Sequence, residues 1–344
     1  MRAVRFHSFG GPETLQLDAV PVQEPGADEV MVKIHASGVN HLDIWLRIGA
    51  RPGIEPPHTP GSEIAGEIVQ IGDAVRSVAV GQRVAVSPWA FCGVCEFCLR
   101  GEESICANGN IVGTAPNQGG YAEYVTVPAS IAVPIPDSLS YNAAAALTLA
   151  AITSWHMLYR RTRVQPGEWV LVQAAGSGVG VYAVQIARFL GARIIATAGS
   201  KEKLDRARAL GAEATINYSE MVVADEVKRI TNGRGVDVVF EHVGEATWEQ
   251  SIRSLARNGR LVTCGATTGR GGTVDIGHLY TRQLSLLGSM GGNRLDLQQV
   301  LSLADRGILN PVLDTVFPLE EARKAHERMA ARAQFGKMLL HPTE

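Results

Sequence analysis

The chain is predicted to be an α/β protein with a doubly wound parallel sheet and a second, β-rich domain, and three observations carry that prediction. From about residue 165 onward, apolar strand-like segments alternate regularly with helical ones, the rhythm of a parallel sheet covered on both faces. The preceding stretch reads as short strands broken by Gly, Pro and Asp turns. The length, 344 residues, exceeds what one ordinary hydrophobic core organises, so two domains are expected.

In the first part, strands are expected at Glu29–Ile34, Ile64–Ile71 and Arg83–Val86, punctuated by Pro25-Gly26, Gly72-Asp73 and Gly81. The segment 40–47 reads as extended. The later series begins with strand Trp169–Gln173, a glycine turn and a helix reaching Leu190. Strand Arg193–Ala198, helix Glu202–Leu210 and strand Ala214–Asn217 follow, then helix Met221–Thr231 and strand Val236–Glu241. Helix Thr247–Leu255 and strand Gly259–Cys264 complete the alternation. After Gly291 the pattern is mixed and ends in a strand at Lys337–Leu340, which is expected to return to the first domain. The expected division is 1–150, 151–294 and a return segment 295–344, with a small lobe at 90–108.

Composition narrows the function classes. Hydrophobic residues at 46% and charged residues at 19% describe a folded globular chain, not a disordered one. A net charge of −2 without a Lys/Arg run argues against nucleic acid or an anionic membrane as principal partner. The most apolar long stretch, 143–155, is too short to span a bilayer. Met1 to Phe6 alternates like a strand and no apolar h-region follows, so no signal peptide is expected, and the expected location is the reducing cytoplasm.

The glycine turn Ala174-Ala175-Gly176-Ser177-Gly178-Val179-Gly180 follows an apolar strand directly and opens a helix. A diphosphate requires backbone N–H groups at a helix start and no Cβ in its way, which small residues at this point supply. Ala175 and Ser177 stand where a G-x-G-x-x-G motif has its first two glycines, while Gly180 keeps the third and Gly178 adds a glycine between. A carboxylate about 20 residues further on would grip the ribose diol of NAD. Here the second strand runs instead into Gly199-Ser200-Lys201, with Lys203 close behind and Tyr218 after the next strand. Ser200, Lys201 and Lys203 suit a 2′-phosphate, to which Tyr218 could add a phenol, and this favours NADPH, with NADH the other candidate. The competing reading of these lysines is a solvated helix start.

Five cysteines are present, and Cys92, Cys95, Cys98 and Cys106 fall in one short loop as C-x-x-C-x-x-C followed by seven residues and the fourth. Four thiolates satisfy tetrahedral zinc and leave no open position, so one structural Zn²⁺ is expected. A reducing compartment disfavours disulfides, and an iron–sulfur cluster is the rival reading. Cys264 sits alone in an apolar strand, as core filler does.

Taken together, these features resemble the medium-chain dehydrogenase/reductase superfamily, which includes the zinc alcohol dehydrogenases and the quinone oxidoreductases. The likeness runs through Gly38-Val-Asn-His-Leu-Asp43, Pro60-Gly61-Ser62-Glu63 with Gly66, the cysteine lobe, Gly120-Tyr-Ala-Glu-Tyr124, the glycine turn and Phe335-Gly336-Lys337. It implies a Rossmann cofactor domain and a GroES-like catalytic domain formed from both chain ends, assembled as a homodimer or homotetramer. It also implies that Gly244, Gly265, Ser289, Gly336 and Lys337 lie where relatives touch the cofactor. The three catalytic zinc ligands of the alcohol dehydrogenases match Asn40, Ser62 and Leu149, and their proton-relay positions match Leu42 and Trp45. Neither the metal ligands nor the relay is kept. A metal site rebuilt from His41, Asp43 and Glu63 is disfavoured, because neighbours on an extended stretch converge poorly.

Segment 40–47 instead resembles the zinc-free quinone oxidoreductase pattern, although those enzymes typically lack the cysteine lobe. Hydride addition to a quinone or an α,β-unsaturated carbonyl compound needs positioning and hydrogen bonds, not a metal. Asn40 is expected to orient the acceptor carbonyl and Trp45 to form an apolar wall. Asp43 is expected to be buried and hydrogen-bonded, and His41 is a candidate proton donor that reads equally well as a bystander. The expected activity is therefore NADPH-dependent reduction of such a small molecule. A zinc-type dehydrogenase of secondary alcohols and a non-catalytic NADPH-binding protein are the alternatives.

Overall fold

A computed structural model describes residues 1–342. The chain divides into two compact units, one made of Met1–Ile152, Gly292–Gly307 and the chain from Pro311 onward, the other of Thr153–Gly291 with Ile308–Asn310. The return to the first unit thus begins at Gly292, and the short stretch 308–310 belongs with the second.

The second unit is a six-stranded, all-parallel sheet in the order Ala214–Asn217, Arg193–Ala198, Trp169–Val172, Val236–Glu241, Leu255–Thr263 and Ser285–Gly288. Numbered along the chain this is 3-2-1-4-5-6, the doubly wound arrangement in which ligands bind beyond the carboxyl ends of the strands. Its central strands read as continuous apolar runs because helices cover both faces: Val170, Leu171, Val239, Phe240, Leu261 and Val262 are fully buried. Each such side chain contributes roughly 1.5–3 kcal/mol of burial. The helices Gly178–Phe189, Lys201–Leu210, Val223–Ile230 and Glu245–Arg253 lie where the alternation places them. The sixth strand and the helix Ile276–Thr281 before it were not expected. This strand is short and only partly buried, so its sequence carries little apolar signal.

The first unit is built on a seven-stranded sheet whose central strand, Glu29–Gly38, pairs antiparallel with Glu63–Ile71, with Tyr124–Pro128 and with the tail strand Lys337–His341. Val30, Val32, Ile34, Ile64, Ile68 and Val84 form its core. Register decides what meets at one end of this sheet. Gly38 lies opposite Glu63 on one side and Leu339 on the other. Asn40, Glu63 and Lys337 therefore arrive together from three distant parts of the chain. The segment expected to be extended is instead the helix His41–Arg47, capped at its start by Asn40. The Asp43 carboxylate accepts the Asn40 N–H at 2.8 Å, and that local bond sets the helix boundary. No helix among the described residues is long and apolar enough to cross a membrane.

Candidate active site and metal centre

The carboxylate of Glu63 organises one end of the first unit. Its Oε1 accepts the backbone N–H groups of Leu149 and Ala150 at 3.2 and 2.9 Å, and its Oε2 lies 2.7 Å from Lys337 Nζ. Both side chains of this ion pair are buried, at 0% and 2% exposure. Removing one partner from such a pair leaves an uncompensated charge, a loss of about 3–5 kcal/mol. Lys337 Nζ also donates to the Val39 carbonyl at 3.0 Å and to Asn40 Oδ1 at 2.7 Å. The ammonium is thus held inside this unit by two hydrogen bonds and one ion pair. Lys337, expected where relatives touch the cofactor, is buried among Glu63, Val39 and Asn40 in the first unit. Gly336 is likewise a packing glycine, since its φ is +94° and a Cβ there would lie 2.3 Å from the Val312 carbonyl oxygen.

Asn40 is half-buried, and its two amide ends differ. Oδ1 is held by Lys337, whereas Nδ2 is shielded from solvent and meets no acceptor among the described residues. An unsatisfied buried donor costs about 1–3 kcal/mol, and an incoming carbonyl oxygen would repay it. Ser62, at the second of the positions that hold zinc in alcohol dehydrogenases, is buried and donates to the Val112 carbonyl at 2.6 Å. Leu149 offers no donor atom. An ammonium beside the Glu63 carboxylate further disfavours a dication here, so the residues present do not fit a catalytic zinc.

Asp43 is fully buried and accepts from the Asn40 N–H, the Gly61 N–H at 3.0 Å and the Tyr121 hydroxyl at 3.2 Å. Burial pushes its carboxyl up to about 7, against the pull of these donors and of Lys337. The Tyr121 hydroxyl also lies 3.0 Å from His326 Nε2. Burial, reinforced by Arg47 and His41, brings His326 down to about 3, so its ring is neutral and Nε2–H can donate to the tyrosine oxygen. His41 opens the helix and its ring centroid lies 6.4 Å from that of Trp45, one helical turn on. Of the four candidates, Asn40, Asp43, His41 and Trp45, the hydrogen-bonded network holds Asn40 and Asp43.

In the second unit the glycine turn has the form a diphosphate requires. Ser177 caps the helix Gly178–Phe189, its Oγ accepting the Gly180 N–H at 2.9 Å. The first helical amides, at Gly178 and Val179, have no acceptor within the helix. A Cβ at Gly180 would lie 2.6 Å from the Ala174 carbonyl oxygen, so glycine permits the close approach of helix and strand. The turn is tied down where Ala175 N–H donates to the Thr197 carbonyl at 2.8 Å. His242, which had no expected role, reaches Ser177 Oγ at 3.3 Å and the Gln173 carbonyl at 2.9 Å, bracing the turn from the neighbouring strand.

Beyond the second strand, Ser200 caps the next helix and accepts the Lys203 N–H at 3.4 Å. A Cβ at Gly199 would fall 2.9 Å from the Tyr218 hydroxyl, so that ring lies directly against Gly199. Ser200, Lys203 and Tyr218 thus gather at one strand end, while Lys201 is paired with Asp205 at 2.6 Å. Gly244, Gly265 and Ser289 follow the carboxyl ends of the last three strands. Ser289 Oγ is buried and meets no hydrogen-bond partner among the described residues. These residues fit a nicotinamide dinucleotide.

In the small lobe, the sulfurs of Cys92, Cys95, Cys98 and Cys106 all lie within 4.8 Å of one another. The 92–98, 95–98, 95–106 and 92–106 separations run from 3.5 to 4.0 Å, against about 3.8 Å for the edge of a tetrahedron of ligands around zinc. Backbone N–H groups of Cys98 and Ala107 bring the Cys95 thiol down to about 6, the state in which it ligates. The four cysteines fit one structural zinc. Among the described residues no other set of three or more His, Cys, Asp or Glu offers comparable convergence, and His41, Asp43 and Glu63 form none.

Sequence reasoning missed the Glu63–Lys337 pair, Tyr121 as a partner of Asp43, and His326. Glu63 and Tyr121 lie in segments already singled out, but only strand register reveals whom they meet. His326 sits in a helix of charged residues and carries no local signal.

Comparison with known proteins gives a consistent result. The alcohol dehydrogenase GroES-like domain model matches residues 26–137, and the zinc-binding dehydrogenase model matches 178–306. An NAD-dependent alcohol dehydrogenase of Sulfolobus acidocaldarius is 36% identical over 352 residues, covering 100% of each chain. A quinone oxidoreductase of Salmonella typhimurium is 33% identical over 351 residues, covering 98% of this chain and 99% of that one. A crystal structure of an NAD-dependent alcohol dehydrogenase superposes with a TM-score of 0.95 at 43% identity, covering 99% of each chain.

Proposed function

This chain belongs to the medium-chain dehydrogenase/reductase superfamily and is an NAD(P)H-dependent oxidoreductase; within that premise we propose that it reduces a quinone or an α,β-unsaturated carbonyl compound with NADPH and without a catalytic metal. The observation that carries the reading is the amide of Asn40, at a position where zinc relatives have a thiolate, with a buried N–H uncommitted. When bound, NADPH supplies the hydride. In an enone the hydride forms a C–H bond at the β-carbon, the C=C pair shifts toward the carbonyl, and an enolate oxygen develops. Asn40 Nδ2 donates to that oxygen as its charge grows, the stabilisation on which such reductions depend. Water then protonates the α-carbon, completing addition of one hydride and one proton. Trp45 closes the acceptor site with an apolar surface, and Asp43 with Tyr121 holds the helix that carries both.

The glycine turn Ala175–Gly180 would hold the diphosphate, with Ser177 Oγ already fixed as the helix cap. Gly244, Gly265 and Ser289 would line the remainder, and Ser200, Lys203 and Tyr218 would take the 2′-phosphate. The zinc of the cysteine lobe is structural. We place the protein in the cytoplasm as a homodimer or homotetramer acting on a small molecule.

A second reading is oxidation of an alcohol, a secondary one in our reading, with NAD; two of the relatives above are named NAD-dependent alcohol dehydrogenases. Steady-state oxidation of NADPH against a panel of quinones and enones, with secondary alcohols and NAD alongside, separates the two. Turnover confined to the alcohols would overturn the reductase reading.

A further inference from the structure

We propose that Lys337 is a positioning residue for the acceptor, fixing which end of the Asn40 amide the substrate meets. The inference rests on the role given to Asn40 above and deepens it. A side-chain amide has two orientations of nearly equal shape, one presenting an oxygen and the other an NH₂. Only the NH₂ can serve a carbonyl that gains negative charge. Lys337 Nζ, 2.7 Å from Asn40 Oδ1, selects between them, because the flipped amide would set two donors against each other.

The selector is itself immobilised. The Val39 carbonyl accepts a second proton of the ammonium at 3.0 Å, and Glu63 Oε2 is its ion-pair partner at 2.7 Å. Glu63 is anchored in turn by the Leu149 and Ala150 N–H groups. The chain of contacts therefore runs from a helix start through Glu63 and Lys337 to Asn40, and ends on an N–H with no partner among the described residues. A cation on Oδ1 draws electron density through the amide and makes that N–H a stronger donor. The substrate feature it recognises is a neutral carbonyl oxygen that becomes an enolate or quinol oxygen. Lys337 does this without touching substrate.

Kinetics of the full-length enzyme with NADPH and either 2-cyclohexen-1-one or 1,4-benzoquinone test the proposal. Lys337→Met is expected to lower kcat/KM by about 10- to 100-fold, the scale of losing one oriented donor, while the Kd for NADPH stays within about twofold. Lys337→Arg, which keeps the cation, is expected to recover most of the loss. Asn40→Ala combined with Lys337→Met should be no slower than Asn40→Ala alone, since both remove the same donor. Should Lys337→Met fail to fold with Glu63 left unpaired, Glu63→Gln/Lys337→Met is compared with Glu63→Gln, and the same fall is expected. Multiplying effects of the Asn40 and Lys337 changes, or a Lys337→Met enzyme at full rate, would overturn the role of Lys337 while leaving that of Asn40 standing. An Asn40→Ala enzyme with unimpaired reduction would instead remove the reading beneath both.

Discussion

The hydroxyl of Ser62 donates to the carbonyl of Val112 at 2.6 Å, so the oxygen at a position where zinc relatives place a histidine is directed into the protein's own backbone. Metal content should follow from this. Elemental analysis is expected to give about one zinc per chain, held in the cysteine lobe. Cys98→Ser should lose that zinc and lower Tm, with turnover per folded molecule retained. Two zincs per chain, or turnover abolished by chelation while the fold persists, would refute the assignment.

Asn40→Ala is expected to lower kcat/KM for enones and quinones by about 100-fold, the effect of deleting one donor to a developing oxyanion. Fluorescence titration should find NADPH binding unchanged, because Asn40 belongs to the first unit and the glycine turn to the second.

Cofactor preference is checked by the same titration. Lys203→Ala and Tyr218→Phe should each weaken NADPH by about tenfold, the loss of one hydrogen bond to a charged group, and leave NADH nearly untouched. Equal weakening of both cofactors would show that these side chains do not read the 2′-phosphate.

Asp43 predicts a pH dependence of stability. Its carboxyl is pushed from an ordinary 3.8 up to about 7 by burial. A group that holds its proton more tightly when folded contributes stability below its unfolded pKa and loses that contribution as pH rises through the folded value. The Tm of the wild type relative to Asp43→Asn should therefore fall between about pH 4 and 7 and then level off. Parallel melting curves across that range would contradict the assignment.

Much of this architecture was legible because its signals are local. The apolar run 169–172 followed by small residues announces a buried parallel strand and its phosphate turn, and three of the four cysteines recur with two residues between neighbours. The helix His41–Arg47 was misread because it is short, and its boundary is set by one bond between Asp43 and Asn40. The partners of Lys337 within the chain were missed for a different reason. Its acceptors lie at Val39, Asn40 and Glu63, and only the pairing of the last strand with Glu29–Gly38 brings them within reach.

That pairing also orders events during synthesis. A ribosome completes the whole of Thr153–Gly291 before it makes the strand Lys337–His341. Until then Glu63 has no cation and the sheet edge at Gly38 stays open. The nascent chain can therefore finish the parallel sheet while the first unit waits, until the strand Lys337–His341 closes that edge and brings Glu63 its cation.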